Sequence, residues 1–369
     1  TGDPVEMFRP SGRLLADPSI LASNDKSKFL FKYTLNPRVK SNSLNKEMVG
    51  FFVFDENLQK LWGAEFEMPY KEEEIVLLDY VLTDAGEVYI LTGVRNDFAY
   101  KENKDYHFEV FHLSKDSKVI ENPTVIKTDG ISIIDGKIVE TPNHEILIVG
   151  NYSTKVVRSE FRNLVKGILT QTMKDGKMTG DINKYTLTID MMPKLTGMEA
   201  KMYEKYGEDY IGYEIMKIQK VHFLDDGSMR IIMDRDLSRQ MLATNKPPEH
   251  AVEGLPMPSF YGALIFSIGA DKNLQWKKRV QYDNGCCIKT IAINREVNVF
   301  FNDHNKVKVE KFDAQGNSTL TSFNDKKVYI GLSGMLKLNN NTLVGKFLSM
   351  GKFDNGYRIT QLLSFTIKD

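Results

Sequence analysis

The feature that most constrains this chain is a recurring hairpin. Short runs such as Val88-Tyr89-Ile90-Leu91, Ile146-Leu147-Ile148-Val149 and Val297-Asn298-Val299-Phe300 are punctuated throughout by Asp, Asn and Gly. Runs rich in β-branched and aromatic residues, bounded by turn formers, read as strands joined by hairpins. One hairpin type has tips near Asp25, Asp84, Asn143, Asp226, Arg295 and Asn340, at spacings of 59, 59, 83, 69 and 45 residues. A second, outer type turns at Phe54-Asp55-Glu56-Asn57, near Asp116, near Asp175, near Asp271 and at Phe312-Asp313-Ala314-Gln315. Two tryptophans keep one register in that outer type, Trp62 seven residues after Asp55 and Trp276 seven after Gly269. Two hairpins make four strands, and six inner tips make six such units. The expected fold is therefore all-β, a six-bladed β-propeller. The last unit ends in a lone strand over 357–369, and Val5-Glu6-Met7-Phe8 is an orphan strand of the right kind. Pairing the two closes the ring and removes two sheet edges that invite aggregation. The chain is read as one domain over 1–369, with a small helical insertion at 191–213 and a second insertion at 236–261.

Composition narrows the function classes. Hydrophobic residues are 41% and charged residues 27%, the balance of a folded chain. The 49 Lys and Arg are matched by 49 Asp and Glu, which argues against a nucleic-acid binder, since neutralising phosphates needs a surplus of cations. No apolar run approaches the roughly 20 residues of a membrane helix, so no membrane span is expected. The opening Thr1-Gly2-Asp3-Pro4 has neither an initiator Met nor an apolar leader and reads as the start of a processed or truncated chain, so it carries no information on export. Cys286 and Cys287 are adjacent, so on a strand they point to opposite faces, and an ordinary disulfide between them would need severe distortion. They are expected as small residues of a buried strand.

Candidate chemistry is sparse. The histidines (His107, His112, His144, His222, His250, His304) are scattered, without a metal-binding helical pair, and no nucleophile elbow or phosphate-cradling loop appears. No catalytic residue, metal or cofactor is assigned. Asp79, Asp135, Glu214 and Asp303 fall at inner-strand ends, where converging carboxylates about 5–10 Å apart would mark a glycosidase, although each acid also suits a strand end. The run Lys71-Glu72-Glu73-Glu74 reads as a solvated loop, and Trp62 and Trp276 read as packing residues between units.

The long segments point elsewhere. In such a fold the hairpin turns emerge on one face and the connections between hairpins on the other. The segments 36–46, 96–105, 191–213 and 236–261 are all connections, whereas the tips are short. Long loops in a compact domain are usually functional. Met198, Met202 and Tyr206 recur at helical spacing behind Thr196, a capping residue. Met198, Met202, Tyr203, Tyr206, Tyr210, Met241, Met257, Phe260 and Tyr261 form the expected binding set, as exposed aromatic and thioether side chains of the two insertions.

The stretch Leu78-Asp79-Tyr80-Val81-Leu82-Thr83-Asp84-Ala85-Gly86-Glu87-Val88-Tyr89, the Ile268 to Trp276 hairpin, Glu214 to Arg235 and Phe301-Asn302-Asp303 resemble uncharacterised six-bladed propeller proteins abundant in Bacteroidetes-type bacteria. The resemblance covers nearly the whole chain and rests on structural motifs. It implies an exported protein, periplasmic or associated with the outer membrane, and carries over no catalytic residue. The resulting expectation is a non-enzymatic binding or scaffold protein of the cell envelope that recognises a protein partner. The alternative is a carbohydrate-active hydrolase or lyase with a glycan ligand.

Overall fold

The computed structural model describes residues 18–35, 45–95, 106–128, 131–154, 164–192, 194–195, 197–213, 216–235, 262–282, 288–293, 295–303, 306–323, 328–339, 342–349 and 359–366. Among them the chain is nearly all β. The first sheet is β1 (Ser19–Ala22), β2 (Lys28–Leu35), β3 (Lys46–Asp55) and β4 (Lys60–Lys71). The second is β5 (Ile75–Leu82), β6 (Val88–Arg95), β7 (Tyr106–Leu113) and β8 (Thr124–Ile126). The third is β9 (Ile131–Glu140), β10 (Ile146–Thr154), β11 (Gly167–Lys174) and β12 (Lys177–Thr186). The fourth is β13 (Met216–Phe223), β14 (Met229–Arg235), β15 (Gly262–Ile268) and β16 (Leu274–Gln281). The fifth is β17 (Lys289–Ile293), β18 (Glu296–Asp303), β19 (Lys306–Phe312) and β20 (Ser318–Phe323). A three-stranded sheet follows, β21 (Val328–Asn339), β22 (Thr342–Ser349) and β23 (Ile359–Thr366). Every sheet is a meander in which consecutive strands pair. The expected closing strand, Val5-Glu6-Met7-Phe8, lies outside the described residues, as do Cys286 and Cys287.

Two compact units hold these sheets, Thr1–Lys155 with Ile168–Lys184, and Val156–Gly167 with Tyr185–Asp369. Within each unit sheets stack face to face. Middle strands are consequently buried on both faces, and β15 (GALIFSI) is buried at every position while its outer neighbour β16 is mostly exposed or half-buried. In the first unit Val49, Phe51 and Phe66 of the first sheet share a core with Ile90, Val94 and Phe111 of the second. Burying such side chains contributes roughly 1.5–3 kcal/mol each. In the second unit Ile265, Val280, Val299 and Phe312 form the corresponding layer.

One turn is reused throughout. At Thr83–Glu87, Thr141–Glu145, Leu224–Ser228, Asp55–Gln59, Gly269–Asn273 and Asp313–Asn317, the first residue donates its N–H to the fifth carbonyl and accepts the fourth N–H. The fourth position is left-handed in all of them, with φ of 86° at Gly86, 59° at His144, 78° at Gly227, 61° at Leu58, 64° at Lys272 and 81° at Gly316. This is a type I turn followed by a left-handed residue, a common connection of a short hairpin. The expected helix is present as α1 (Gly197–Tyr206), followed by a 3-10 turn at Gly207–Tyr210.

Candidate functional site

Antiparallel order divides every four-stranded sheet into two ends. The first-to-second and third-to-fourth turns lie at one end, and the second-to-third connection lies at the other. Most of the spare chain is at the second end, where 36–45, 96–105, 155–166 and 236–261 join middle strands. Beside 96–105, β7 carries His107 and Glu109 on one face, two residues apart. Glu109 is buried, 3% exposed, and pairs across the ladder with Thr92 of β6. Its Oε1 accepts the Tyr70 hydroxyl at 3.0 Å and lies 2.9 Å from His107 Nε2. Among the described residues its Oε2 has no hydrogen-bond partner. Burial, with the adjacent Glu109 carboxylate, pushes the Tyr70 phenol up to about 12, so it remains a donor at neutral pH. The arrangement is a buried carboxylate that orients a half-exposed imidazole and still offers one acceptor.

The helical insertion is pinned rather than splayed. The Lys166 ammonium donates to the carbonyls of Asp209 and Ile211, and Val165 bridges Tyr213 through paired backbone bonds. Burial draws Lys166 down to about 8. Tyr210, expected exposed, is instead 1% exposed and packs with Leu164 as the centre of a small apolar cluster. The same carbonyl contacts that fix the chain at Asp209 and Ile211 turn its ring inward. Met202, Tyr203 and Tyr206 pack half-buried against that cluster, so the apolar face of the helix is largely used within the chain. The Met198 side chain and Met241, Met257, Phe260 and Tyr261 lie outside the described residues.

A second polar cluster sits at the turn end, built from three inner tips of the first unit. The Asp25 N–H donates to Asp84 Oδ1 at 2.9 Å, and the Asp84 N–H donates to Glu140 Oε2 at 2.8 Å. His144 Nδ1 is 3.0 Å from Glu140 Oε1 and 3.8 Å from Asp84 Oδ2. Lys28 Nζ reaches the Asp84 carbonyl, and the Asn24 amide reaches that of Glu140. Glu140 is 2% exposed, whereas His144 stands on the surface. The hydrogen bond and charge of Glu140 raise the His144 imidazole above its ordinary value, and the Ser23 and Ser27 contacts hold Asp25 well below the carboxylate range. From the sequence these tips are expected only to be short. The available signal was the single histidine in a left-handed turn position, four residues after a glutamate that ends a strand.

Of the remaining candidates, Asp79 accepts the Ile138 N–H at 3.1 Å and pairs with Lys137 at 3.6 Å, tying β5 to β9. Asp135 is buried, Glu214 lies outside the described residues, and so does the Asp303 side chain. His107 and His112 occupy odd and even positions of β7, hence opposite faces, and His112 bonds Glu87 instead, at 3.1 Å. Trp62 and Trp276 do pack between sheets, and their Nε1 atoms donate to the Gly86 and Ala314 carbonyls of the next sheet at 2.8 and 2.9 Å.

No protein-family model and no curated protein matches the chain. Solved structures similar to it include a protein of unknown function from Dyadobacter fermentans, 8% identical, covering 98% of this chain and 97% of that one with a TM-score of 0.43. An ulvan lyase is 8% identical over 99% of this chain and 81% of its own, with a TM-score of 0.48. The Dos1 propeller is 7% identical over 92% and 81%, with a TM-score of 0.43.

Proposed function

We propose that the chain is a single six-bladed propeller domain over 1–369 that acts as a non-enzymatic binding or scaffold protein of the bacterial envelope. Its partner, a protein, docks at the end of the sheets where second strands hand over to third strands. One observation carries this reading. Short hairpins need only about two to five connecting residues, and the inner tips Thr83–Glu87, Thr141–Glu145 and Leu224–Ser228 use no more. Yet 36–45, 96–105, 155–166 and 236–261 all lengthen the opposite end. That end also carries Glu109 with its open acceptor oxygen.

The carbohydrate-active alternative has less support. Among the described residues the carboxylates that converge, Asp84 and Glu140, place oxygens within 4.8 Å, but Glu140 is 2% exposed and its two oxygens are engaged by Asp84 and His144. A carboxylate so enclosed does not reach a glycosidic oxygen.

The test replaces 243–256 by a short Gly-Ser bridge and compares capture of envelope proteins by the two chains after cross-linking. The expected result is an unchanged melting temperature with loss of the partner that the parent chain captures. Retained capture by a normally folded variant would move the site to the turn end or the outer strands and overturn the reading.

A further inference from the structure

We infer that the neighbouring tips of the second and third sheets bind a divalent transition-metal cation through Asp84, Glu140 and His144. One donor atom from each side chain lies within 4.8 Å of the other two. Metal bonds of about 2.0–2.2 Å set neighbouring donors roughly 3.0–3.5 Å apart. The separations from His144 Nδ1, 3.0 Å to Glu140 Oε1 and 3.8 Å to Asp84 Oδ2, bracket that spacing. The carboxylates are already aimed. Asp84 Oδ1 is held by the Asp25 N–H and Glu140 Oε2 by the Asp84 N–H, which leaves Oδ2 and Oε1 directed at the imidazole. Outer contacts of this kind orient ligands in metal sites.

The balance of charge in the cluster also leaves room for a cation. Glu140 is 98% buried by the complement of its 2% exposure, yet among the described residues neither it nor Asp84 has an ion pair with lysine or arginine. The Lys28 ammonium at the same tips contacts the Asp84 carbonyl and the Ser27 hydroxyl. The shared ion-pair partner of Glu140 and Asp84 is the exposed His144 imidazole, so two carboxylates face a single cationic group. At the equivalent turn, Leu224–Ser228, an arginine takes the place of the histidine, because the exposed Asp226 bonds Ser228, which bonds Arg230. His144, with 68% of its side chain exposed, leaves the cluster open to an entering ion. One imidazole nitrogen and two carboxylate oxygens suit zinc or manganese better than calcium, which takes six to eight oxygens. The bound ion would cross-link the tips.

The experiment titrates zinc, manganese and calcium chlorides into the chelator-treated full chain, reading heat and melting temperature. The expected result is one saturable equivalent of zinc or manganese with a raised melting temperature and no comparable response to calcium. His144→Gly and Glu140→Gln should each weaken binding at least about tenfold. Glycine is at ease at the φ of 59° that His144 adopts, so that variant keeps the turn and separates ligand loss from misfolding. Absence of saturable binding, or binding of equal strength in both variants, would overturn the proposal.

Discussion

At Thr141–Glu145 and at Leu224–Ser228 the chain makes the same five-residue turn and surrounds it with opposite chemistry. In the third sheet the histidine stands in the turn itself, exposed and facing Glu140 and Asp84. In the fourth sheet the histidine lies just before the turn, on β13, half-buried against the Thr290 hydroxyl at 2.9 Å. Its charge balance is also closed locally, since Arg230, 1% exposed, lies 5.1 Å over the Trp276 ring and reaches Asp226 through Ser228. Backbone geometry therefore does not decide what a tip does. The side chains around it decide whether the tip is a closed structural unit or one with charge to spare.

Removing the arginine should break the fourth-sheet tip. Arg230→Ala strips a stacked, buried side chain from Trp276 and leaves Asp226 and Ser228 without their cation, so a loss of about 4 kcal/mol is expected in guanidinium unfolding. Arg230→Met, which keeps most of the stem, should lose clearly less. A cost near zero for the alanine variant would mean that the two tips do not differ in the way described.

Acid should separate the two hairpins next. Burial, reinforced by Lys220, holds His222 down to about 4 against an ordinary 6.5. Between those values the unfolded chain binds the proton and the folded chain does not. The stabilisation is complete above pH 6.5 and is lost as pH falls to about 4, at a cost of about 3 kcal/mol. Denaturant midpoints of the parent and His222→Gln chains, measured across that range, should diverge accordingly. Parallel curves would place His222 in contact with water. His144 is pushed the other way by Glu140, so its contribution is present at low pH and fades as pH rises through its raised value.

The smallest effect concerns the left-handed position. Gly227→Ala places a Cβ at φ 78° and 3.2 Å from the Ala270 Cβ, and should lower stability by about 1 kcal/mol. At the matching position of the third sheet the natural residue already carries a side chain. His144→Gly should therefore leave the thermal midpoint of the metal-free chain at pH 8 unchanged or raised. A fall would show that the imidazole stabilises the turn by itself.

Much of the architecture was legible because it is local. Turn formers at fixed intervals, the alternation around them and the shared register of Trp62 and Trp276 are written in short stretches, and the helix over Gly197–Tyr206 follows from its Met and Tyr spacing. What the sequence withheld was long-range. The spacing of Met198, Met202 and Tyr206 identifies an apolar face but not the Leu164 and Tyr210 cluster that covers it. Asp84 and Glu140 belong to different sheets, and only the stacking of those sheets brings their oxygens together. Even so, His107 and Glu109, two apart on one strand, were bound to share a face, and that pairing was available to be read.

Every ladder in the described sheets joins strands that are consecutive along the chain. For folding, this keeps strand-pairing contacts short in sequence, so little loop entropy must be lost before a ladder forms. Even the segment 236–261 adds modestly to that loss, because closure entropy grows only with the logarithm of length. A chain built this way can complete its first meander while its last strands are still being synthesised, limiting the time that β3, with six consecutive buried residues, spends as an unprotected edge.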